Sequence, residues 1–218
     1  MDFAKFPSLY PILDAVFLPP ESTRRREMLT GLVASLSQAG VEILQYRNKQ
    51  GTDDEILHDA AVMRSAEASR LTLIMNDYAH LVARAGFDGV HLGQQDLSPA
   101  DARELLGSDA IIGLSTHNEA HLRAADPEPV DYIAIGPVYA TSSKVNPDPI
   151  VGLDGVRLAR RMTEKPLVAI GGITMANAFQ VQDAGADSIA VISAIFAAPN
   201  PAQAAAEFLG ALTRRPTG

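Results

Sequence analysis

Short apolar or β-branched runs return about eight times along this chain, each separated from the next by a stretch with helical character. The runs fall at residues 9–13, 41–46, 72–76, 89–92, 111–115, 132–136, 167–170 and 188–192. Between them lie segments of about 8–18 residues with helix-like periodicity, the alternation expected of βα units around a parallel sheet. Met28, Leu32 and Leu36 recur at the i+4 spacing of one helix face, with Val33 widening the stripe. Helix starts carry their own chemistry: Thr52 with Glu55, and Ser98 with Asp101, have capping-box spacing, and Pro99 sits at a first helical position. Asn200–Pro201 opens the last helix in a similar way. Gly40, Gly86 and Gly185 stand between a helical segment and a strand, where a left-handed cap is useful.

No composition break or Ser/Gly-rich linker divides these 218 residues. About eight βα units in this length favour a closed barrel over an open doubly wound sheet. The expected fold is therefore α/β, a single (β/α)8 TIM barrel over residues 1–218. The dinucleotide fingerprint and the Walker A pattern are both absent. A formal charge of −8 disfavours nucleic acid as a partner. No run is long and apolar enough to span a bilayer, and no secretory leader is evident, so no membrane is expected. With no cysteine, thiolate metal sites and a Cys nucleophile are excluded, and a cytoplasmic location is the expectation.

In such a barrel the chemistry gathers where strands end. After the second strand come Gln45, Arg47 and Lys49; extended residues two apart share a face about 6.6 Å apart, so two cations and an amide would line up along a polyanion. The third strand ends at Asn76-Asp77, and Asp96 lies just beyond the fourth. Each aspartate alone reads as a helix or turn cap. Together, facing cations, they suit a hard oxygen-seeking ion such as Mg²⁺. The loop after the sixth strand offers Thr141, Ser142, Ser143 and Lys144. Gly171-Gly172-Ile173 follows the seventh strand and Val191-Ile192-Ser193 leads out of the eighth, where phosphate commonly binds in this fold through bare backbone N–H groups. His91 and His117 are expected as satisfied structural groups. The residues thus imply two anion regions at one mouth, one cationic with a metal and one built from backbone. Such a site suits departure of a diphosphate leaving group, driven by positioning and charge neutralisation.

Five segments in order, Gln45-Tyr-Arg-Asn-Lys49, Asn76-Asp77, Gly89-Val-His-Leu-Gly-Gln-Gln-Asp96, Gly136-Pro-Val-Tyr-Ala-Thr-Ser-Ser-Lys144 and Ala169-Ile-Gly-Gly-Ile173, resemble the motifs of the thiamine-phosphate synthase family. The likeness covers nearly the whole chain. It implies a transferase that condenses hydroxymethylpyrimidine diphosphate with hydroxyethylthiazole phosphate, giving thiamine monophosphate and pyrophosphate through a dissociative, Mg²⁺-assisted substitution. By the same resemblance Asp77 and Asp96 hold Mg²⁺, and Arg47, Lys49, Asn76, Ser115 and Lys144 bind the diphosphate. Of these, Arg47, Lys49, Ser115 and Lys144 carry the catalytic role. Gln45 helps to hold the pyrimidine, Thr141 and Ser143 lie near the thiazole, and Gly172, Ile192 and Ser193 surround its phosphate. The implied partners are these two small-molecule substrates, with monomer and homo-oligomer both left open. Asn48 departs from the family's usual glutamate and Ser143 from its usual threonine. Segment 14–23 departs from the usual end of the first strand.

The nearest rival is a thiazole tautomerase-like isomerase, which needs neither the cationic cradle nor the aspartate pair. A sugar-phosphate epimerase would want paired His/Asp metal ligands inside the barrel. A non-catalytic phosphate-binding barrel would tolerate loss of Lys144 or the aspartates.

Overall fold

The computed structural model describes residues 6–66, 71–141 and 148–213. Eight strands lie within them: β1 (Leu9–Asp14), β2 (Ile43–Arg47), β3 (Thr72–Asn76), β4 (Gly89–Leu92), β5 (Ile111–Thr116), β6 (Tyr132–Ile135), β7 (Leu167–Ile170) and β8 (Ser188–Val191). They pair in sequence order, and β8 pairs back onto β1 in parallel, closing the barrel. The intervening helices are α1 (Ser22–Gln38), α2 (Asp53–Ala66), α3 (Val82–Ala85), α4 (Pro99–Leu106), α5 (Glu119–Ala125), α6 (Gly152–Met162) and α7 (Ala178–Asp183). After β8 come α8 (Ser193–Phe196) and α9 (Pro201–Thr213). This is the (β/α)8 barrel the alternation predicts.

Six strand ends move by a residue or two: β1, β2 and β5 each run one residue further, and the other three have a clear local reason. β2 starts at Ile43 because the Val41 N–H is spent on Leu36 O, part of the turn closing α1. β6 stops before Gly136, since Pro137 has no N–H to continue a ladder. β8 stops before Ile192, whose φ −111° and ψ −86° leave the extended region. The expected glycine caps are present, with φ +92° at Gly40, +65° at Gly86 and +112° at Gly185. The Thr52 capping box forms in full, with Glu55 N–H donating to Thr52 Oγ1 at 3.3 Å and Thr52 N–H to Glu55 Oε2 at 2.8 Å. Ser98 caps α4 through its side chain, which accepts the Asp101 N–H at 3.1 Å and donates to Asp101 Oδ2 at 2.6 Å. Asn200 likewise caps α9 through Gln203 N–H at 3.1 Å.

Because side chains alternate along a strand, the barrel has two cores. Leu13, Leu44, Leu73, Val90, Ile112, Ile133 and Ile189 face outward and meet the helices. Ile12, Ile43, Ile74, Ile111, Val168 and Ala190 face inward and fill the interior, with Tyr10 and Tyr132 among them. On α1 the buried residues are Leu29, Leu32, Val33 and Leu36, whereas Met28 is exposed. The expected stripe is therefore turned by one residue: positions 29, 32, 33 and 36 follow the i, i+3, i+4, i+7 pattern more closely than 28, 32 and 36.

At the N-terminal rim one device occurs three times. The Asp88 carboxylate accepts the Leu73 N–H and the Arg64 guanidinium, both at 2.7 Å. Asp131 does the same for Ile112 N–H and Arg103, each at 2.7 Å. Asp187 repeats it with Leu167 N–H at 2.8 Å and Arg160 at 2.7 Å. In each case the aspartate's own N–H donates to the carbonyl of the same partner residue. An even-numbered strand is thus clamped to the odd strand before it, and an arginine from the helix that precedes that odd strand (α2, α4 or α6) closes the clamp.

Candidate active site

The C-terminal ends of the strands bring most of the expected polar residues to the opposite rim. Gln45 lies inside the barrel, 2% exposed, with Nε2 3.2 Å from the Tyr10 hydroxyl. Two residues on, Arg47 pairs with the buried Asp14 at the end of β1. Lys49 reaches the other way, placing Nζ 2.9 Å from Asp77 Oδ2. The cations do leave the end of β2 as a set, yet in the free protein carboxylates from the neighbouring strands already neutralise both.

Asn76 is buried, and its Nδ2 has no hydrogen-bond partner among the described residues. A buried unpaired donor is costly, and at a barrel mouth it invites an acceptor from outside the protein. Asp77 follows with φ +66°, among the described residues the one non-glycine in the left-handed region. Aspartate tolerates that conformation better than most residues. Across the β3–β4 boundary, Asp96 Oδ2 accepts the Gly93 N–H at 2.6 Å. The Asp96 carboxyl titrates above the usual carboxylate range, first because the cleft walls desolvate it and also because Asp77 faces it; the Gly93 bond and Lys49 pull the other way. Lys49, Asp77 and Asp96 line one cleft of about 560 Å³, with Tyr78, Ala79, His80, Leu97 and Leu105 as its remaining walls.

Donor chemistry and crowding here fit Mg²⁺. Two carboxylates repel each other in a partly desolvated cleft, all their donor atoms are oxygen, and the open side leaves room for water and phosphate oxygens. Among the described residues no group of three or more His, Cys, Asp or Glu could hold an ion. An ion here would complete its shell with substrate oxygens, as Mg²⁺ does at phosphate-transfer sites.

Ser115 stands near the end of β5, with Oγ 2.8 Å from His91 Nε2. The other His91 nitrogen, Nδ1, is 2.9 Å from the Tyr132 hydroxyl. Burial lowers the His91 pKa to about 4, so its ring is neutral at physiological pH and a poor proton acceptor. His117 is held as well, by Gly136 O at 2.6 Å from Nδ1 and Asp148 at 3.5 Å from Nε2. Both histidines are satisfied groups, as expected.

On the far side of the ring, Gly171 and Gly172 have φ +103° and +63°. A Cβ on Gly172 would come within 2.7 Å of Tyr139 Cβ, so the loop after β6 passes directly over bare backbone. Ile192 breaks from the strand and Ser193 begins α8, whose first N–H groups point out of the helix. Thr141 is half-buried at the start of the β6 loop; Ser143 and Lys144 lie outside the described residues. Four contributors escaped the sequence reading: Asp14, Tyr10, Tyr132, and His91 as a partner of Ser115. Only His91 left a usable signal. It pairs with Gly113 on the adjacent strand, which puts Ser115 two residues further along the same face.

The sequence profile of thiamine monophosphate synthase matches residues 15–195. The chain belongs to the thiamine monophosphate synthase family. Thiamine-phosphate synthase from Koribacter versatilis is 51% identical over 205 residues, covering 94% of this chain and 95% of the relative. The Leptospira biflexa enzyme of the same name is 43% identical over 181 residues, covering 81% and 86%. Among solved structures, thiamine phosphate pyrophosphorylase from Pyrococcus furiosus superposes with a TM-score of 0.78 at 27% identity, over 94% of this chain and 95% of that one. A 3-hexulose-6-phosphate synthase superposes at 0.67 with 19% identity, a likeness of fold alone. Within the thiamine monophosphate synthase family, then, this chain spans nearly the full length of relatives that carry the enzyme's name.

Proposed function

We propose that the mouth of this barrel joins the two halves of thiamine monophosphate, taking hydroxymethylpyrimidine diphosphate and hydroxyethylthiazole phosphate and releasing pyrophosphate. One observation carries this reading: Lys49, Asp77 and Asp96 share a cleft beside the unpaired amide of Asn76, with a second, neutral backbone site across the ring. A diphosphate suits the first and a monoester phosphate the second. The tautomerase alternative would have no use for the first.

Asp77 and Asp96 would hold Mg²⁺, which when bound neutralises diphosphate oxygens and so improves the leaving group. Lys49 is half-exposed, and such ion pairs are worth about 0–1 kcal/mol, so an incoming diphosphate can recruit it from Asp77 at little cost. Arg47 is less free, because its partner Asp14 is buried; it adds positive potential while staying anchored. The Asn76 amide and the Ser115 hydroxyl supply uncharged donors, and the family resemblance adds Lys144. Gln45 would meet the pyrimidine, Thr141 and Ser143 the thiazole, and Gly172, Ile192 and Ser193 its phosphate.

The bond between the pyrimidine methylene carbon and the diphosphate oxygen breaks first, and the electron-rich aminopyrimidine carries the resulting cation. The thiazole nitrogen then forms the new C–N bond with its own lone pair. No proton has to be removed by the protein, in keeping with a buried His91 that is only a weak base. Rate comes from positioning and from charge neutralisation on the leaving group.

The test is to mix the purified protein with both precursors and Mg²⁺. Pyrophosphate release that needs the metal and the thiazole, matched by equal thiamine monophosphate, supports the reading. A folded protein that binds the thiazole phosphate but releases no pyrophosphate overturns it in favour of the tautomerase.

A further inference from the structure

Five polar side chains form one continuous chain through the barrel interior. Gln45 Nε2 is 3.2 Å from the Tyr10 hydroxyl, which lies 2.8 Å from the Tyr132 hydroxyl. Tyr132 then lies 2.9 Å from His91 Nδ1, and His91 Nε2 is 2.8 Å from Ser115 Oγ. The links come from strands β2, β1, β6, β4 and β5, so the chain crosses the interior rather than following one strand. Space for it is built in: a Cβ at Gly113 would overlap the Tyr132 ring. Tyr10 and Tyr132 are 1% and 0% exposed, so water cannot replace a missing partner.

We propose that this chain has a single polarity, set by the Gln45 amide, that turns Ser115 into a hydrogen-bond donor toward the diphosphate, with Tyr10, Tyr132 and His91 as positioning residues. The proposal rests on the reading of Ser115 as a diphosphate ligand. The polarity follows from counting protons. An amide nitrogen only donates, so Tyr10 oxygen accepts from Gln45. The Tyr10 proton goes to its other neighbour, Tyr132, and the Tyr132 proton goes on to His91 Nδ1. A neutral imidazole carries one N–H, which must then sit on Nε2 and point at Ser115 oxygen. Ser115 receives that bond and keeps its own proton for an acceptor at the mouth.

The reverse order fails at the far end. Ser115 would donate to His91, His91 to Tyr132 and Tyr132 to Tyr10, whose own proton would then have no acceptor among the described residues. Such a buried, unpaired hydroxyl carries its full desolvation penalty. Only turning the Gln45 amide over would supply the acceptor and reverse every link, which is why the polarity is decided at Gln45. An anionic ligand makes the two states unequal. A Ser115 that donates strengthens diphosphate binding, and a Ser115 that is spent on His91 does not.

The experiment reads the tautomer and the binding separately. ¹⁵N NMR of histidine-labelled protein, with the His91 signals identified by their loss in His91→Gln, should show an Nε2–H ring. Affinity for inorganic pyrophosphate with Mg²⁺, measured by calorimetry, should fall about tenfold in Ser115→Ala. Tyr132→Phe should cost a similar factor when Ser115 is present and nothing further when it is already alanine, because the two act through one hydroxyl. An Nδ1–H ring in the unmodified protein overturns the polarity and leaves the diphosphate site in place; this holds even if Tyr132→Phe does not fold. Equal losses from Tyr132→Phe in both backgrounds reduce the chain to packing and overturn the positioning role. Unchanged pyrophosphate affinity in Ser115→Ala instead removes Ser115 from the anion site, and the inference fails together with that part of the functional reading.

Discussion

The two rims of this barrel use the same residue types to opposite ends. At the N-terminal rim, Asp88, Asp131 and Asp187 each bind a strand N–H and an arginine, and each arginine reaches over from the helix that precedes the paired strands. Those carboxylates are saturated and hold the ring together. At the C-terminal rim, Asp77 and Asp96 face each other, Lys49 is held by a half-exposed pair, and Asn76 Nδ2 has no partner among the described residues. Those groups are left short of partners in a way that a metal and a diphosphate would satisfy. Saturated charge stabilises the fold, and unsaturated charge is kept where a ligand can complete it. Between the rims lies the Gln45–Ser115 chain, paired link by link like the one and directed toward the other.

This contrast is exposed to tests of decreasing size. Asp96→Ala should lower kcat/KM roughly a thousandfold, about 4 kcal/mol at the transition state, while the urea midpoint stays level or rises as Asp77 loses a like-charged neighbour. A midpoint that drops along with the activity would put Asp96 in the class of the rim aspartates. The interior layer answers to pH. His91 titrates near 4 when folded against an ordinary 6.5, so the unfolded chain binds a proton that the native one refuses. Stability is then fully present above about pH 6.5 and declines by up to about 3 kcal/mol as pH falls toward 4. Urea titrations at pH 7 and 4.5 should show that decline, and His91→Gln should flatten it.

The opposite rim should give the mirror image of Asp96. Asp131→Ala removes the acceptor of both Ile112 N–H and Arg103, so unfolding free energy should fall by about 2 kcal/mol. At a temperature where the variant is still folded, its kcat and KM should match the parent; a changed KM would mean that the rims are coupled. The smallest effect asks whether nearness to the mouth matters in itself. Ser98 stands two residues after Asp96 yet only caps α4, so Ser98→Ala should cost about 1 kcal/mol of stability and no activity. A loss of turnover there would show that the α4 cap holds Asp96 in place.

Much of this was legible before any coordinates. The βα alternation specifies the elements because strand and helix periods are local properties of the chain, and the helix caps at Thr52 and Ser98 form as their spacing predicts. Chain order also puts Arg47, Lys49, Asn76, Asp77, Asp96, Ser115 and Gly172 near strand ends, which in this fold share one face. The residues that departed from expectation did so where a second element intervened. Met28 gives way to Leu29 because the packed neighbours of α1 choose the stripe's centre. Val41 is drawn out of β2 by the end of α1.

Element order, the fold those elements close into and the set of polar groups delivered to the mouth are all written in the chain. How those groups pair is settled by packing in three dimensions. Asp14 holds Arg47, Asp77 holds Lys49, and Tyr10 and Tyr132, 122 residues apart, meet at 2.8 Å between Gln45 and His91. The physical reason is ring closure. Which inward-facing residues share a height depends on the stagger of eight strands and on β8 returning to β1, and no local period in the chain encodes either.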